Sequence, residues 1–197
     1  MTEAPALQRT YPWTTSLDGA QVTFRLMVEG DRDALLAFAR TLPDEDLMFL
    51  RTDITHAPVI DEWIGNIAGG RTITVLAEVD GKIAGYGSVH RNEALWTRHV
   101  GEMRVLVSRE CRGIGLGKRL ANEVFAIAKD LGLAKITAQM TTDQRSARQV
   151  FEHMGFRPEA LLADYAMSRE GETHDLLIMS YDVGGFSNEA EARPRRR

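Results

Sequence analysis

The segment running from Val105 to Leu120, Val-Leu-Val-Ser-Arg-Glu-Cys-Arg-Gly-Ile-Gly-Leu-Gly-Lys-Arg-Leu, constrains the fold more than any other part of the chain. Met103, Val105 and Val107 alternate as in a strand. Leu116, Leu120, Val124, Ile127 and Leu131 then recur at helical spacing until Gly132, giving a long amphipathic helix. Between strand and helix stand three alternate glycines, Gly113, Gly115 and Gly117. A loop so poor in side chains lets backbone N–H groups converge at the positive end of the helix, and Arg112 and Lys118 add charge. The physical product is a cradle for a diphosphate. The spacing excludes two cradles. The dinucleotide fingerprint G-x-G-x-x-G fails at Lys118, and the P-loop pattern fails at Arg112 and Arg119.

The flanking sequence supplies an α/β chain with a mixed sheet. Val22, Phe24 and Leu26 alternate as a strand. Leu35, Phe38, Ala39 and Leu42 form a helical stripe with Asp31 as its N-cap, and Ile60, Trp63, Ile64 and Ile67 form a second, ended by Gly69-Gly70. Ile73, Val75 and Ala77 alternate, Asp80-Gly81 is a favoured hairpin pair, and Lys82 to Val89 returns. After the central helix come a strand over Lys135 to Met140, a short helix marked by Ala147, Val150, Phe151 and Met154, and two strands over 160–168 and 173–181. The predicted order is β-α-α-β-β-β-α-β-α-β-β, in one domain over 19–183, with an N-terminal arm over 1–18 and a mobile basic tail over 184–197.

With 197 residues, 44% of them apolar, the chain can bury a core without covalent staples. Cys111 is the single cysteine, so no intrachain disulfide or cysteine-based zinc site is available, and no metal is expected. No apolar run approaches the ~18 residues of a membrane helix. The start lacks the pattern of a signal peptide, so a cytoplasmic protein with no membrane partner is expected. Of the net charge of −4, the last eleven residues carry +2, so the preceding 186 carry −6. Such a body suits a cationic or amine partner better than nucleic acid.

Arg112, Gly115 and Gly117 spell Arg-x-x-Gly-x-Gly, which resembles the acetyl-CoA loop of the GNAT superfamily of N-acetyltransferases. The likeness spans about residues 22–181 and includes the element order, the Gly155-Phe156 ending of the short helix, and the last strand around Asp175 to Met179. The opening from Asp18 to Arg25 and the Gly101-Glu102 pair resemble the branch holding bacterial protein-lysine acetyltransferases. The resemblance implies acetyl-CoA as co-substrate and direct acetyl transfer to a primary amine, on a small molecule or a protein lysine. It implies cofactor contacts from the main chain around Val105, Leu106 and Val107, on a strand that splays from its neighbour. Arg112, Gly113, Ile114, Gly115, Leu116, Gly117 and Lys118 would hold the pyrophosphate. Glu102 is the implied general base; its alternative is a surface glutamate paired with Arg104, and His90 and His99 are weaker substitutes. Two positions depart from the family pattern. Gln144 stands where many relatives carry an Asn that contacts pantetheine, and Phe151 where many carry a Tyr that protonates the leaving thiolate. Tyr165 or solvent would then supply that proton. The Phe151 departure also leaves open a non-catalytic acyl-CoA-binding regulatory module, and a homodimer is left open. Cys111 beside Arg112 reads as a tolerated loop cysteine rather than a redox thiol. The Asp44-Glu45-Asp46 run reads as a solvated loop, and Arg193 to Arg197 as a solubilising end.

Overall fold

A computed structural model describes residues 7–47, 50, 52–92, 94–168 and 170–184; the basic run over 193–197 lies outside the described residues. Eight strands form one sheet in the order β1-β2-β3-β4-β5-β6-β8-β7. They are β1 Trp13–Leu17, β2 Ala20–Leu26, β3 Thr72–Val79, β4 Lys82–Arg91, β5 Val100–Val107, β6 Lys135–Thr141, β7 Arg157–Met167 and β8 Thr173–Asp182. Every neighbouring pair is antiparallel except β5 and β6, which are joined through the central helix.

Two helical layers cover the sheet. Helices α1 (Arg32–Ala39) and α3 (Ala57–Ala68), with the single turn α2 (Asp44–Leu47) between them, lie on one face. Leu35, Phe38, Ile60 and Trp63 pack there against Leu76 and Tyr86. Helix α4 (Leu116–Asp130) lies on the other face and buries Leu116, Leu120, Val124 and Ile127 against Val75, Val89 and Met103. Each such side chain contributes about 1.5–3 kcal/mol by leaving water. β4 admits α4 closely because Gly85 and Gly87 present no side chains to it. A Cβ on Gly87 would stand 2.5 Å from Val124 Cγ2. Helix α5 (Arg145–His153) closes at Gly155, whose φ of +91° suits glycine alone.

Three details depart from the sequence reading. The arm over 1–18 contributes strand β1, which pairs with β2 from Trp13↔Phe24 to Leu17↔Ala20. Its turn is Asp18-Gly19, both at positive φ, the same chemistry as Asp80-Gly81. The arm is also pinned to α4: the Glu123 carboxylate, fully buried, pairs with Arg9 and accepts the Tyr11 hydroxyl at 2.9 Å. Asp31 precedes α1, but its carboxylate makes no capping bond to the helix. It accepts both terminal nitrogens of Arg25, at 2.7 and 2.8 Å, and the Val28 N–H at 2.8 Å.

Candidate active site

β5 and β6 are hydrogen-bonded neighbours only from Val100↔Lys135 to Met103↔Ala138; beyond that the strands diverge. On its other side β5 stays paired with β4 as far as Val107↔Gly85, and the Ser108 N–H continues that ladder to Ala84 O at 2.8 Å. Main-chain direction alternates along a strand, so Leu106 and Arg104 share the orientation of Ser108 and bond to β4. Val105 and Val107 turn their N–H and C=O groups the other way, into the opening between β5 and β6. The splay implied by the resemblance is therefore present. Leu106 departs from expectation: its main chain is spent on β4 and its side chain packs toward α1 and α3.

The glycine loop sits at the end of this slot. Gly113 and Gly115 hold φ of +86° and +85°, and a Cβ at either would meet nothing within 4 Å. The helix begins at Leu116, and Arg119 N–H is bonded back to Gly115 O at 3.1 Å. The N–H groups of Leu116, Gly117 and Lys118 are the free donors of a helix start. Leu116 contributes only main chain, because its side chain is buried beneath α4; Ile114 packs partly against the same core. Open space, positive φ and free donors fit a diphosphate. Arg112 is placed differently from a free phosphate ligand. Its guanidinium pairs with Asp46 of α2, and its Nε–H donates to Val107 O at 3.3 Å. The acidic run is thus no solvated loop at Asp46, which is buried.

On the α1–α3 face the slot opens into a cleft of about 690 Å³. Its walls are Leu50, Ile54, Glu62, Trp63 and Asn66 on one side and Gln139, Thr141, Gln144 and Tyr165 on the other, with β4 and β5 as the floor. The floor carries Tyr86, Ser88, His90, Glu102 and Arg104. Glu102 and Arg104 point to the same face two residues apart, and Arg104 Nε–H donates to Glu102 Oε1 at 2.9 Å. Glu102 therefore pairs with Arg104, and its carboxylate also lines the cleft. Across the strand pair His90 is its register neighbour. The His90 ring lies between two hydroxyls, with Nε2 2.8 Å from Ser88 Oγ and Nδ1 3.0 Å from Thr72 Oγ1. His99 is exposed and does not line the cleft. Burial pushes the Tyr86 hydroxyl well above its ordinary value and the Arg104 charge opposes this, so Tyr86 stays protonated.

Tyr165 lines the cleft because β7 loses register with β8 between Leu162 and Ala166, where Asp164 sits at φ +52°. Gln144 also lines the cleft, with Oε1 accepting the Thr141 N–H at 3.1 Å. Phe151 corrects an expectation. It is buried with its ring 5.1 Å from that of Phe156 and does not line the cleft, because the apolar stripe of α5 turns it into the core. Cys111 is half-buried and packs against the α4 core. The α3 residues Glu62, Trp63 and Asn66 were missed as site residues. Trp63 was legible only as an apolar member of a helical stripe, and nothing in the spacing marked its polar neighbours. Among the described residues, no group of three His, Cys, Asp or Glu side chains is placed to hold a metal ion. Nor, among them, is any helix long and apolar enough to cross a membrane.

A family model described as "Acetyltransferase (GNAT) family" matches residues 31–156. The "Putative phosphinothricin acetyltransferase YwnH" of Bacillus subtilis strain 168 is 24% identical over 166 residues, covering 82% of this chain and 99% of the relative. Two solved structures share the fold. A GNAT superfamily phosphinothricin acetyltransferase from Sinorhizobium meliloti, in complex with acetyl-CoA, superposes with a TM-score of 0.73 at 20% identity, covering 84% of this chain and 90% of that one. The yncA protein of Salmonella typhimurium, described as "a putative acetyltransferase" and solved with its cofactor acetyl-CoA, gives 0.74 at 18% identity, covering 84% and 96%.

Proposed function

The chain belongs to the GNAT family of N-acetyltransferases, and on that premise we propose that it moves the acetyl group of acetyl-CoA directly onto a small primary amine held in the cleft. The observation that carries this reading is the slot itself. Val105 and Val107 turn main-chain groups away from the β4 ladder beside a loop of free N–H donors, with Val107 O met only by the Arg112 side chain, and the slot opens onto the cleft that holds Glu102. Gly113 to Lys118 hold the diphosphate; the Val105 and Val107 main chain takes the amides and the thioester. Glu102 accepts the proton of the attacking amine, whose free pKa of about 10.4 makes a base necessary near neutrality. The amine nitrogen bonds to the thioester carbon, and the oxyanion that develops is met by main-chain N–H groups of the slot. The C–S bond then breaks. Phe151 carries no proton to give, so the thiolate takes one from Tyr165 or from water.

A small acceptor is supported by the cleft, whose volume lies within the range of small-molecule sites. It is supported also by the names of two of the relatives, which specify phosphinothricin. The test is calorimetric titration with acetyl-CoA, with NADH as comparator, followed by CoA release across a panel of amino acids, polyamines and lysine peptides. Saturable acetyl-CoA binding and turnover with a small amine are expected. Turnover confined to lysine peptides would reverse the acceptor reading. Tight acetyl-CoA binding with no turnover on any amine would leave the second reading, an acyl-CoA-binding module, which the lack of a phenolic proton at Phe151 favours.

A further inference from the structure

Arg112 bridges two parts of the molecule that the reaction uses separately. Its guanidinium pairs with Asp46, whose side chain is 10% exposed, while Nε–H caps Val107 O at 3.3 Å. Val107 O is one of the main-chain groups that face the slot. Asp46 belongs to α2, and the chain leaving α2 supplies Leu50, Thr52 and Ile54 to the cleft wall. The arginine thus ties the lip of β5, at Val107 O, to α2, from which the chain continues to the wall of the acceptor cleft.

We propose that Asp46 is a positioning residue: it holds Arg112 on Val107 O at the edge of the cofactor slot, and the diphosphate of the arriving cofactor releases the arginine by taking the guanidinium for itself. The proposal rests on the acetyl-CoA reading above. The exchange favours the diphosphate because it carries more charge than one carboxylate and accepts a guanidinium through two parallel bonds. Release uncovers Val107 O for the pantetheine arm. It also frees α2 beside the acceptor cleft, so cofactor charge prepares the acceptor side. A thioester without a diphosphate has nothing to offer Arg112 and meets a Val107 O that is already occupied.

The test compares acetyl-CoA with S-acetylpantetheine, which carries the same thioester arm and no charge. Binding of both is measured by competition and calorimetry in the wild type, Asp46→Asn and Arg112→Ala. Asp46→Asn is expected to tighten S-acetylpantetheine by about two- to fivefold, the range for loss of one partly exposed ion pair. Because that ligand is neutral, removal of a repelling charge cannot account for the gain. In the same variant KM for acetyl-CoA falls more than kcat changes. Arg112→Ala is expected to tighten S-acetylpantetheine and to weaken acetyl-CoA, two opposite shifts that a structural brace does not produce. S-acetylpantetheine affinity that is unchanged, weaker or undetectable in both variants overturns the proposal. Should Asp46→Asn fail to fold, Arg112→Ala alone decides by the sign of its two shifts. Failure of the wild type to bind acetyl-CoA is a different result, and overturns the reading of the slot itself.

Discussion

Glu102 is held by Arg104 and faces a cleft, and the two facts act together. The arginine partner orients the carboxylate, and in the proposed reaction the cleft brings it an amine to deprotonate. Glu102→Gln is expected to cut kcat by about 10²–10³-fold at pH 7 and to recover part of the rate as the pH rises toward the amine's own pKa. Acetyl-CoA affinity stays unchanged. A pH–rate profile parallel to the wild type would remove Glu102 from the chemistry. The glycine loop offers a second test. Gly115 sits at φ +85° with open space around it, so Gly115→Ala meets backbone strain and no clash. The expected cost is about 1–2 kcal/mol of stability, read by denaturant unfolding, with a larger fractional loss in acetyl-CoA affinity because the donors of the helix start are displaced.

Among the elements, α4 and β4 are the pair that holds the site in place. The helix start aims its donors at the slot, and its axis is set by how closely it lies on Gly85 and Gly87. Gly87→Ala would bring a methyl group to 2.5 Å from Val124 Cγ2 and 3.2 Å from Leu120 O, so the helix must lift. The expected destabilisation is about 1–3 kcal/mol, seen in thermal unfolding, together with weaker acetyl-CoA binding although residue 87 lies outside the loop. The helix and its stripe were legible, because period and terminal glycines agree. The close approach was not, since a glycine within a strand pattern does not say which neighbour needs the room. β1 went unread for a related reason. Trp13, Thr15 and Leu17 do alternate, and Asp18-Gly19 is a hairpin pair, but five residues beside Pro12 are too short for the pattern to stand out.

For the whole molecule, the buried Tyr86 and the half-buried Tyr11 set the alkaline limit. Tyr86 is raised by burial; Tyr11 is raised by burial and then by the Glu123 carboxylate. A raised acid binds its proton more tightly in the folded state. Stability is therefore full below the ordinary value near ~10 and declines as the pH passes it. Tyr86→Phe is expected to flatten the decline measured by denaturant unfolding between pH 9 and 11, and an equally steep curve would contradict the assignment. The order of elements and the glycine loop could be read along the chain because each depends on local spacing, whereas Glu102 was reached only through the family resemblance. The Asp46–Arg112 pair, the His90 contacts and the α3 wall could not, since they join residues that only the finished sheet brings together. The divergence of β5 from β6 has one further consequence. The sheet has four rims instead of two: β1 and β7 outside, and the facing lips of β5 and β6 within. The amide protons of Val105 and Val107, in the fifth of eight strands, should therefore exchange with deuterated solvent at the pace of a loop, until a ligand that can act as a ninth strand fills the space.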